Sequence, residues 1–160
     1  MVRASTNVSD YGKGPGALVD FDGQPMFAEA AVTRVFRTAG WHARWMASRP
    51  CEDYPKPGPL IDPTVRALLD EIQRATTRRS GGCWDVLAWR DDSFGRGVQS
   101  RSRQYPVMVA FAELKRQHHD VDRESQRLWL DASLSCGVPL EAFTWTLWDF
   151  LPNPLTSSTG

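Results

Sequence analysis

The spacing of apolar residues predicts four strands and three helices. Apolar positions three or four residues apart are typical of helices, and short alternating or continuous apolar runs are typical of strands. Helices are predicted at residues 25–40, from Asp62 onward and at about 123–136, and strands at 41–46, 83–89, 107–115 and 143–148. This order predicts a mixed α/β or α+β fold, in which helices flank a four-stranded mixed sheet.

The limits of these elements also set the limits of the folded domain. Pro25 suits the first turn of the first helix, and Asp62 suits the N-cap of the second. Residues 1–24 show little periodicity and are expected to form a flexible arm. The domain is therefore expected to span residues 25–150, followed by a C-terminal tail at residues 151–160.

The apolar run at residues 107–115 ends abruptly in charged residues, because Glu113, Leu114 and Lys115 close it. Side chains alternate along a strand, so Glu113 and Lys115 are expected on the same face. An unpaired charge in a buried strand is costly in free energy. The pair is therefore either a salt bridge at the surface end of a strand or part of a functional site.

Asp85 interrupts the apolar strand at residues 83–89, which a hairpin connects to the strand at 107–115. Two carboxylates on neighbouring strands can share a divalent cation such as Mg²⁺. Such a cation polarises a phosphoryl oxygen and lowers the pKa of bound water, which suits phosphodiester hydrolysis. Lys115 would steer the water or stabilise developing charge, and the Leu114 carbonyl would be a further oxygen ligand. The alternative is that Asp85 is a buried, hydrogen-bonded acid.

Asp85 followed by Glu113-Leu114-Lys115 resembles the Asp…Glu-x-Lys signature of the PD-(D/E)XK nuclease superfamily. The chain is most similar to the small VRR-NUC (virus-type replication-repair nuclease) domains, over about residues 25–150. Three features carry this narrower resemblance: Gly81-Gly82 before the Asp85 strand, Glu29 in the first helix, and Gln126 followed by Trp129-Leu130. Two features depart from the family pattern: Trp84 in place of the frequent Pro, and a longer stretch between the two acids.

The resemblance implies a restriction-endonuclease-like core and a Mg²⁺- or Mn²⁺-dependent DNA endonuclease. Asp85 and Glu113 would hold the metal, and Lys115 would assist the attacking water. Gln126 and Glu29 would be auxiliary site residues. Relatives of this kind act as homodimers on branched DNA, such as four-way junctions or flaps, in replication, recombination or repair. A catalytically degenerate DNA-binding relative and an RNA-directed nuclease are the alternatives.

The charge distribution adds candidate contacts to DNA. The chain has 19 basic and 19 acidic residues, and a formal net charge of zero argues against a generally basic coat protein. Most cations are arginines, which either suit phosphate through their planar fork or reflect a GC-rich genome. No acid lies between Ser93 and Ala110, which predicts a mobile arginine loop at residues 90–104 beside the carboxylates. At the end of the second helix, the helix dipole is an alternative reason for arginines. The candidate contacts are Arg78, Arg79, Arg96, Arg101, Arg103 and Arg116.

Further features predict a protein of the cytoplasm, and the family resemblance implies that it is nucleoid-associated or phage-encoded in a prokaryotic cell. Cys51, Cys83 and Cys136 are odd in number and lack metal-ligand spacing, so they are expected to be reduced thiols. No apolar run approaches the roughly 20 residues of a membrane span, and the N-terminus lacks the apolar core of a signal peptide. The seven tryptophans are expected mainly in the core, with base stacking as the alternative for Trp84 and Trp89.

Overall fold

Three helices and a four-stranded mixed sheet form the framework of the described chain, which confirms the predicted mixed α+β class. The computed structural model describes residues 18–46, 60–76, 84–92, 95, 97–101, 103–116 and 124–148. The elements are β1 (Leu18–Phe21), β2 (Gln24–Phe27), α1 (Ala28–Thr38), β3 (His42–Trp45), α2 (Pro63–Ala75), β4 (Val86–Asp91), β5 (Val98–Gln99), β6 (Gln104–Tyr105), β7 (Val107–Arg116), α3 (Glu124–Ser135) and β8 (Phe143–Trp148). Within these ranges, no helix has both the length and the apolar character needed to cross a membrane.

The main sheet has the strand order β3-β4-β7-β8. The β3–β4 and β4–β7 pairs are antiparallel, whereas β7 and β8 run parallel. A parallel neighbour requires a crossover connection, and α3 supplies it between β7 and β8. β7 is therefore hydrogen-bonded along both edges and lies in the interior of the sheet.

Alternate residues of β4 and β7 pack on opposite faces of this sheet. On one face, Val86 and Ala112 form a small cluster with Ala28 of α1. On the other face, Leu87 and Phe111 belong to a larger cluster that includes the apolar sides of α2 and α3. α1 therefore covers one face, and α2 and α3 cover the other.

The second predicted helix is confirmed together with its start. Asp62 Oδ1 accepts a hydrogen bond from the Thr64 N–H at 2.7 Å, and Pro63 occupies the first helical position. An N-cap of this kind contributes about 1 kcal/mol to stability. The predicted apolar stripe is buried in the main core and consists of Val65, Leu68, Leu69 and Ile72.

The first helix begins later than predicted. α1 starts at Ala28, whereas Pro25 lies in β2. The physical reason is a two-residue turn at Asp22 and Gly23, whose φ angles of 53° and 75° match the twist of a tight hairpin. β1 and β2 pair across this turn, so the last part of the predicted flexible arm is a hairpin. Residues 1–17 and 151–160 lie outside the described residues.

Residues 90–104 do not form the long loop that the sequence predicts. β4 continues to Asp91, and β5 then pairs with β6 in a second hairpin. Val98 and Tyr105 are only 3% and 2% exposed and belong to the main core. Burial of these two side chains anchors the segment, so its described residues form a packed hairpin and not the fully solvated loop that was the alternative to DNA contact.

Gly137 ends α3 in a position that only glycine suits. Its φ is 84°, a conformation that glycine adopts without strain. A β-carbon built on it would lie 2.0 Å from the carbonyl oxygen of Gln99. The C-terminal end of α3 therefore packs directly against the β5–β6 hairpin.

Candidate active site

Asp85 and Glu113 are neighbours at one end of the two central strands. The β4–β7 ladder ends at the pair Val86 and Ala112, so the next residues outward are Asp85 and Glu113. Leu87 and its partner in β7 face α2 and α3. Alternation along each strand places both carboxylates on that same face.

Beyond the end of the ladder, the Asp85 side chain accepts a β7 N–H that a backbone carbonyl would accept within the ladder. Its Oδ2 accepts a hydrogen bond from the Leu114 N–H at 3.0 Å. Its backbone carbonyl accepts one from the Met46 N–H at 2.7 Å, which ties Asp85 to the end of β3. A residue in an antiparallel ladder turns its N–H and its C=O toward the same neighbour, so the Leu114 carbonyl also faces the Asp85 side.

Glu113 and Lys115 form a buried triangle with Gln126 from the first turn of α3. Lys115 Nζ lies 3.1 Å from Glu113 Oε1 and donates a hydrogen bond to Gln126 Oε1 at 2.8 Å. Gln126 Nε2 in turn donates a short hydrogen bond to Glu113 Oε1. Glu113 is 3% exposed and Lys115 is 8% exposed. This pair is therefore not the solvated salt bridge that the sequence left as an alternative.

The surroundings of Glu113 disfavour its negative charge. Its pKa is raised, first because burial removes water from the carboxylate and second because Asp85 repels it. Lys115 and then Gln126 act in the opposite direction. Glu113 Oε2 is buried and has no hydrogen-bond partner among the described residues. A cation between the two carboxylates would relieve the repulsion and would satisfy this oxygen.

The donors present suit a small, hard cation. The Asp85 and Glu113 carboxylates and the Leu114 carbonyl all provide oxygen, and Mg²⁺ commonly takes one or two protein carboxylates together with waters and phosphate oxygens. In the described part of the chain, no group of three or more His, Cys, Asp or Glu side chains could hold a metal ion. With two carboxylates and one carbonyl as donors, water or substrate oxygens would supply the remaining ligands of such a cation.

Glu29 lies in α1, away from the sheet face that carries Glu113. It is 4% exposed in α1, and α1 covers the sheet face opposite to Glu113. The predicted auxiliary role of Glu29 therefore has no support from the geometry.

Of the predicted DNA-contacting arginines, the structure describes the side chains of Arg101 and Arg103. Arg101 and Arg103 are exposed, but they belong to the segment of the β5–β6 hairpin, which precedes β7 and contacts the far end of α3. Glu113 lies about 20 Å from Val107 along β7, because a strand rises by roughly 3.3 Å per residue. The hairpin that carries Arg101 and Arg103 therefore joins β7 at the end away from Glu113, and their contact with DNA stays a prediction. Arg78, Arg79, Arg96 and the side chain of Arg116 lie outside the described residues.

Trp145 places an exposed aromatic ring beside the carboxylate pair. It is 47% exposed, and it is the register partner of Glu113 in β8. Its ring centroid lies 4.5 Å from that of Trp84. Trp84 and Trp89 are only 1% and 3% exposed, so they serve the core. The sequence pattern does not single out Trp145, because only strand pairing reveals which side chains stand next to Glu113.

Comparison of this chain with protein-family models, curated proteins and solved structures found no match.

Proposed function

We propose that this protein is a Mg²⁺- or Mn²⁺-dependent endonuclease that hydrolyses DNA phosphodiester bonds, with a restriction-endonuclease-like core of the PD-(D/E)XK type. One observation carries the proposal. Asp85 and Glu113 lie side by side at the end of two paired core strands. Lys115 and Gln126 both bind the Glu113 carboxylate there.

The free-energy cost of burying these groups supports a functional role. A buried ion pair is generally no more stabilising than apolar side chains of the same volume. Here the Lys115 ammonium pairs with Glu113, whose carboxylate is also repelled by Asp85. Glu113 also has a buried oxygen without a hydrogen-bond partner in the described chain. Stability alone does not account for this arrangement, whereas binding of a divalent cation does.

Each side chain has a distinct task in the proposed hydrolysis. When bound, a divalent cation supplies polarisation of the phosphoryl oxygen and a lowered pKa of the attacking water. Asp85 is held by the Leu114 N–H, and Glu113 is held by Gln126, so both carboxylates are preorganised as ligands. The Lys115 ammonium stabilises the negative charge that grows on the phosphate oxygens. This chemistry requires no Ser or Cys nucleophile.

A non-catalytic DNA-binding protein of the same fold is the second candidate. The contacts around Glu113 favour this second candidate, because Glu113 Oε1 already forms an ion pair with Lys115 and accepts a hydrogen bond from Gln126. In that case the ammonium neutralises the carboxylate, and the triangle serves as a buried polar network. The two candidates differ in one property, since only the nuclease requires a cation at Asp85 and Glu113.

Other parts of the proposal rest on the family resemblance alone. They are action on branched DNA such as four-way junctions or flaps, a role in replication, recombination or repair, and a place in a prokaryotic cell, either nucleoid-associated or phage-encoded. A homodimer belongs to the same set, because a small domain with one site needs two copies to make paired cuts. RNA is the alternative substrate for the same chemistry.

Cation binding and cleavage test the proposal together. We expect the wild-type protein to bind Mn²⁺ in calorimetry and to cleave branched or linear DNA with Mg²⁺ or Mn²⁺. Asp85→Asn and Glu113→Gln are expected to lose Mn²⁺ binding and to slow cleavage by about a hundredfold to a thousandfold. Asp70→Asn removes a carboxylate from an exposed position of α2 and is the matched control.

Three results would decide between the candidates. Equal cleavage by the wild type and both site variants sinks the nuclease assignment. Binding of DNA without binding of Mn²⁺ supports the non-catalytic candidate. An RNA substrate of the same sequence, assayed side by side, distinguishes the two nucleic acids.

A further inference from the structure

Two arginines from different elements line one pocket beside the candidate metal centre. Arg44 lies in β3 and Arg66 in α2. With Trp45, Met46 and Ile61 they surround a volume of about 190 Å³. Arg44 is partly buried, and Arg66 is exposed. The pocket therefore presents two guanidinium groups at the protein surface.

Neither guanidinium group has a partner in the described part of the chain. No hydrogen bond, ion pair or aromatic contact engages the Arg44 or Arg66 side chain there. Asp62 lies one turn before Arg66, but its Oδ1 caps α2 at the Thr64 N–H. Two like charges that line one pocket repel each other. An anion between them would remove that repulsion and accept charge-assisted hydrogen bonds from both.

The backbone joins this pocket to the carboxylate pair. Met46, which lines the pocket, donates its N–H to the Asp85 carbonyl at 2.7 Å. Arg44 is the register partner of Leu87, which lies two residues from Asp85 on the same sheet face. With strands about 4.8 Å apart and a rise of about 3.4 Å per residue, the α-carbons of Arg44 and Asp85 are separated by roughly 8 Å. An extended arginine side chain can therefore bind a group adjacent to one held at Asp85.

We propose that Arg44 and Arg66 form a phosphate subsite, which holds a backbone phosphodiester next to the one that is cut. This inference rests on the proposed function, because both phosphates belong to one nucleic-acid strand. The planar fork of arginine binds two phosphate oxygens at once. An anchored neighbouring phosphate positions the scissile bond relative to Asp85 and Glu113. Contacts of this kind orient the backbone without reading its sequence.

The salt dependence of binding tests the subsite without requiring cleavage. Fluorescence anisotropy in EDTA measures the binding of a DNA duplex, and of an RNA duplex of the same sequence, at several NaCl concentrations. Each phosphate contact contributes about 0.9 to the slope of log K against log salt for duplex DNA. We expect the double variant Arg44→Ala/Arg66→Ala to bind about tenfold or more weakly, with a slope smaller in magnitude by about 0.9 to 1.8.

Two further variants separate a phosphate contact from damage to the fold. Arg34→Ala removes one positive charge from an exposed position of α1, on the opposite face of the sheet, and is expected to keep the wild-type slope. Arg44→Lys keeps the charge but loses the planar fork, so the slope should be retained while the affinity falls severalfold. Equal losses in Arg34→Ala and in the double variant would overturn the subsite.

The remaining outcomes distinguish this inference from the proposed function. A wild type that cleaves with Mg²⁺, together with a double variant of unchanged affinity and slope, overturns the subsite and leaves the nuclease in place. A wild type that does not cleave, but loses affinity and slope in the double variant, supports the subsite and overturns the nuclease. A wild type that binds neither duplex overturns both. If only one of the two duplexes shows the reduced slope, that nucleic acid is the ligand.

Discussion

The two halves of β7 are equally buried but chemically opposite. In the first half, Val107, Val109 and Phe111 are 3%, 6% and 0% exposed and pack into the main apolar core. In the second half, Glu113 and Lys115 are 3% and 8% exposed, yet both carry charge. One continuous strand thus places apolar and ionic side chains on the same face of the sheet.

This difference shows that burial by itself does not identify a stabilising core. Apolar side chains gain about 25 cal/mol for each Å² removed from water. Glu113 instead loses hydration, and its raised pKa reports that loss together with repulsion from Asp85. The first half of the strand therefore stabilises the fold. This stabilisation offsets the free-energy cost of burying the ionic side chains in the second half. Such a division is expected where a rigid core supports a functional site.

Truncation in the apolar half should have the largest effect on stability. Phe111 is fully buried, and its ring stacks on Phe143 with the centroids 5.2 Å apart. Phe111→Ala removes this apolar contact and leaves a cavity, so we expect the free energy of unfolding to fall by about 3–5 kcal/mol. Urea unfolding followed by tryptophan fluorescence measures it. A loss below about 1 kcal/mol would contradict the place of Phe111 in the core.

In the ionic half, loss of an orienting partner should weaken cation binding more than it weakens the fold. Gln126→Leu removes both the donor to Glu113 and the acceptor for Lys115. Loss of a group that orients a metal ligand typically lowers affinity 10- to 100-fold, and we expect a decrease of about that size for Mn²⁺. Calorimetry provides the measurement, with Gln73→Leu at an exposed position of α2 as the control. Equal Mn²⁺ affinities in both variants would remove Gln126 from the site.

The charge of Glu113 should produce a pH dependence that the apolar half lacks. Because its folded-state pKa lies above the ordinary value of 4.5, the folded protein binds this proton more tightly than the unfolded chain does. The resulting stabilisation is complete below about pH 4.5 and is lost as the pH rises through the raised pKa. Glu113→Gln has no titrating proton at this position. As the pH rises above about 4.5, the free energy of unfolding of the wild type should therefore fall relative to that of Glu113→Gln. Urea unfolding of both proteins across the acidic and neutral range tests the sign, and a constant or rising difference would refute it.

The smallest expected effect concerns a single polar contact next to the apolar half. Tyr105 donates a hydrogen bond to Glu71 of α2, and burial together with this carboxylate raises the pKa of Tyr105 to about 12. The stabilisation from this phenol is present at neutral pH and is lost as the pH rises from about 10 through about 12. Tyr105→Phe should lower the free energy of unfolding by about 1 kcal/mol. Ultraviolet titration should show one tyrosine fewer ionising near pH 12, and no change there would contradict the contact.

Much of the secondary structure could be predicted because it depends on local patterns. α2 follows from its apolar stripe and from Asp62, and β8 from the alternation of its residues. The β1–β2 hairpin also has a local signal, since Asp22-Gly23 is a typical hairpin turn. The prediction overlooks it because Pro25 suits a helix start as well as an edge strand.

The β5–β6 hairpin could not be predicted in the same way. Each of its strands has two residues, which is too short for any periodicity. Its place depends on the burial of Val98 and Tyr105 against elements that are distant along the chain. Packing, which residue order does not show, therefore anchors this arginine-rich segment to the core through two apolar side chains.

The amino-acid order alone establishes the mixed α+β class and marks the residues with unusual chemistry. Glu113 and Lys115 end one apolar run of the sequence, and Asp85 interrupts another, whatever the arrangement of the sheet. These inferences are possible because local patterns record whether a side chain faces the core or the solvent.

Tertiary structure establishes which of these residues meet. It sets Asp85 beside Glu113 and bridges Glu113 to Lys115 through Gln126. It also brings Arg44, which the sequence pattern does not single out, near Asp85. The physical reason is that such proximity depends on strand order and register, and a register shift of one residue would turn the Asp85 side chain to the other face of the sheet.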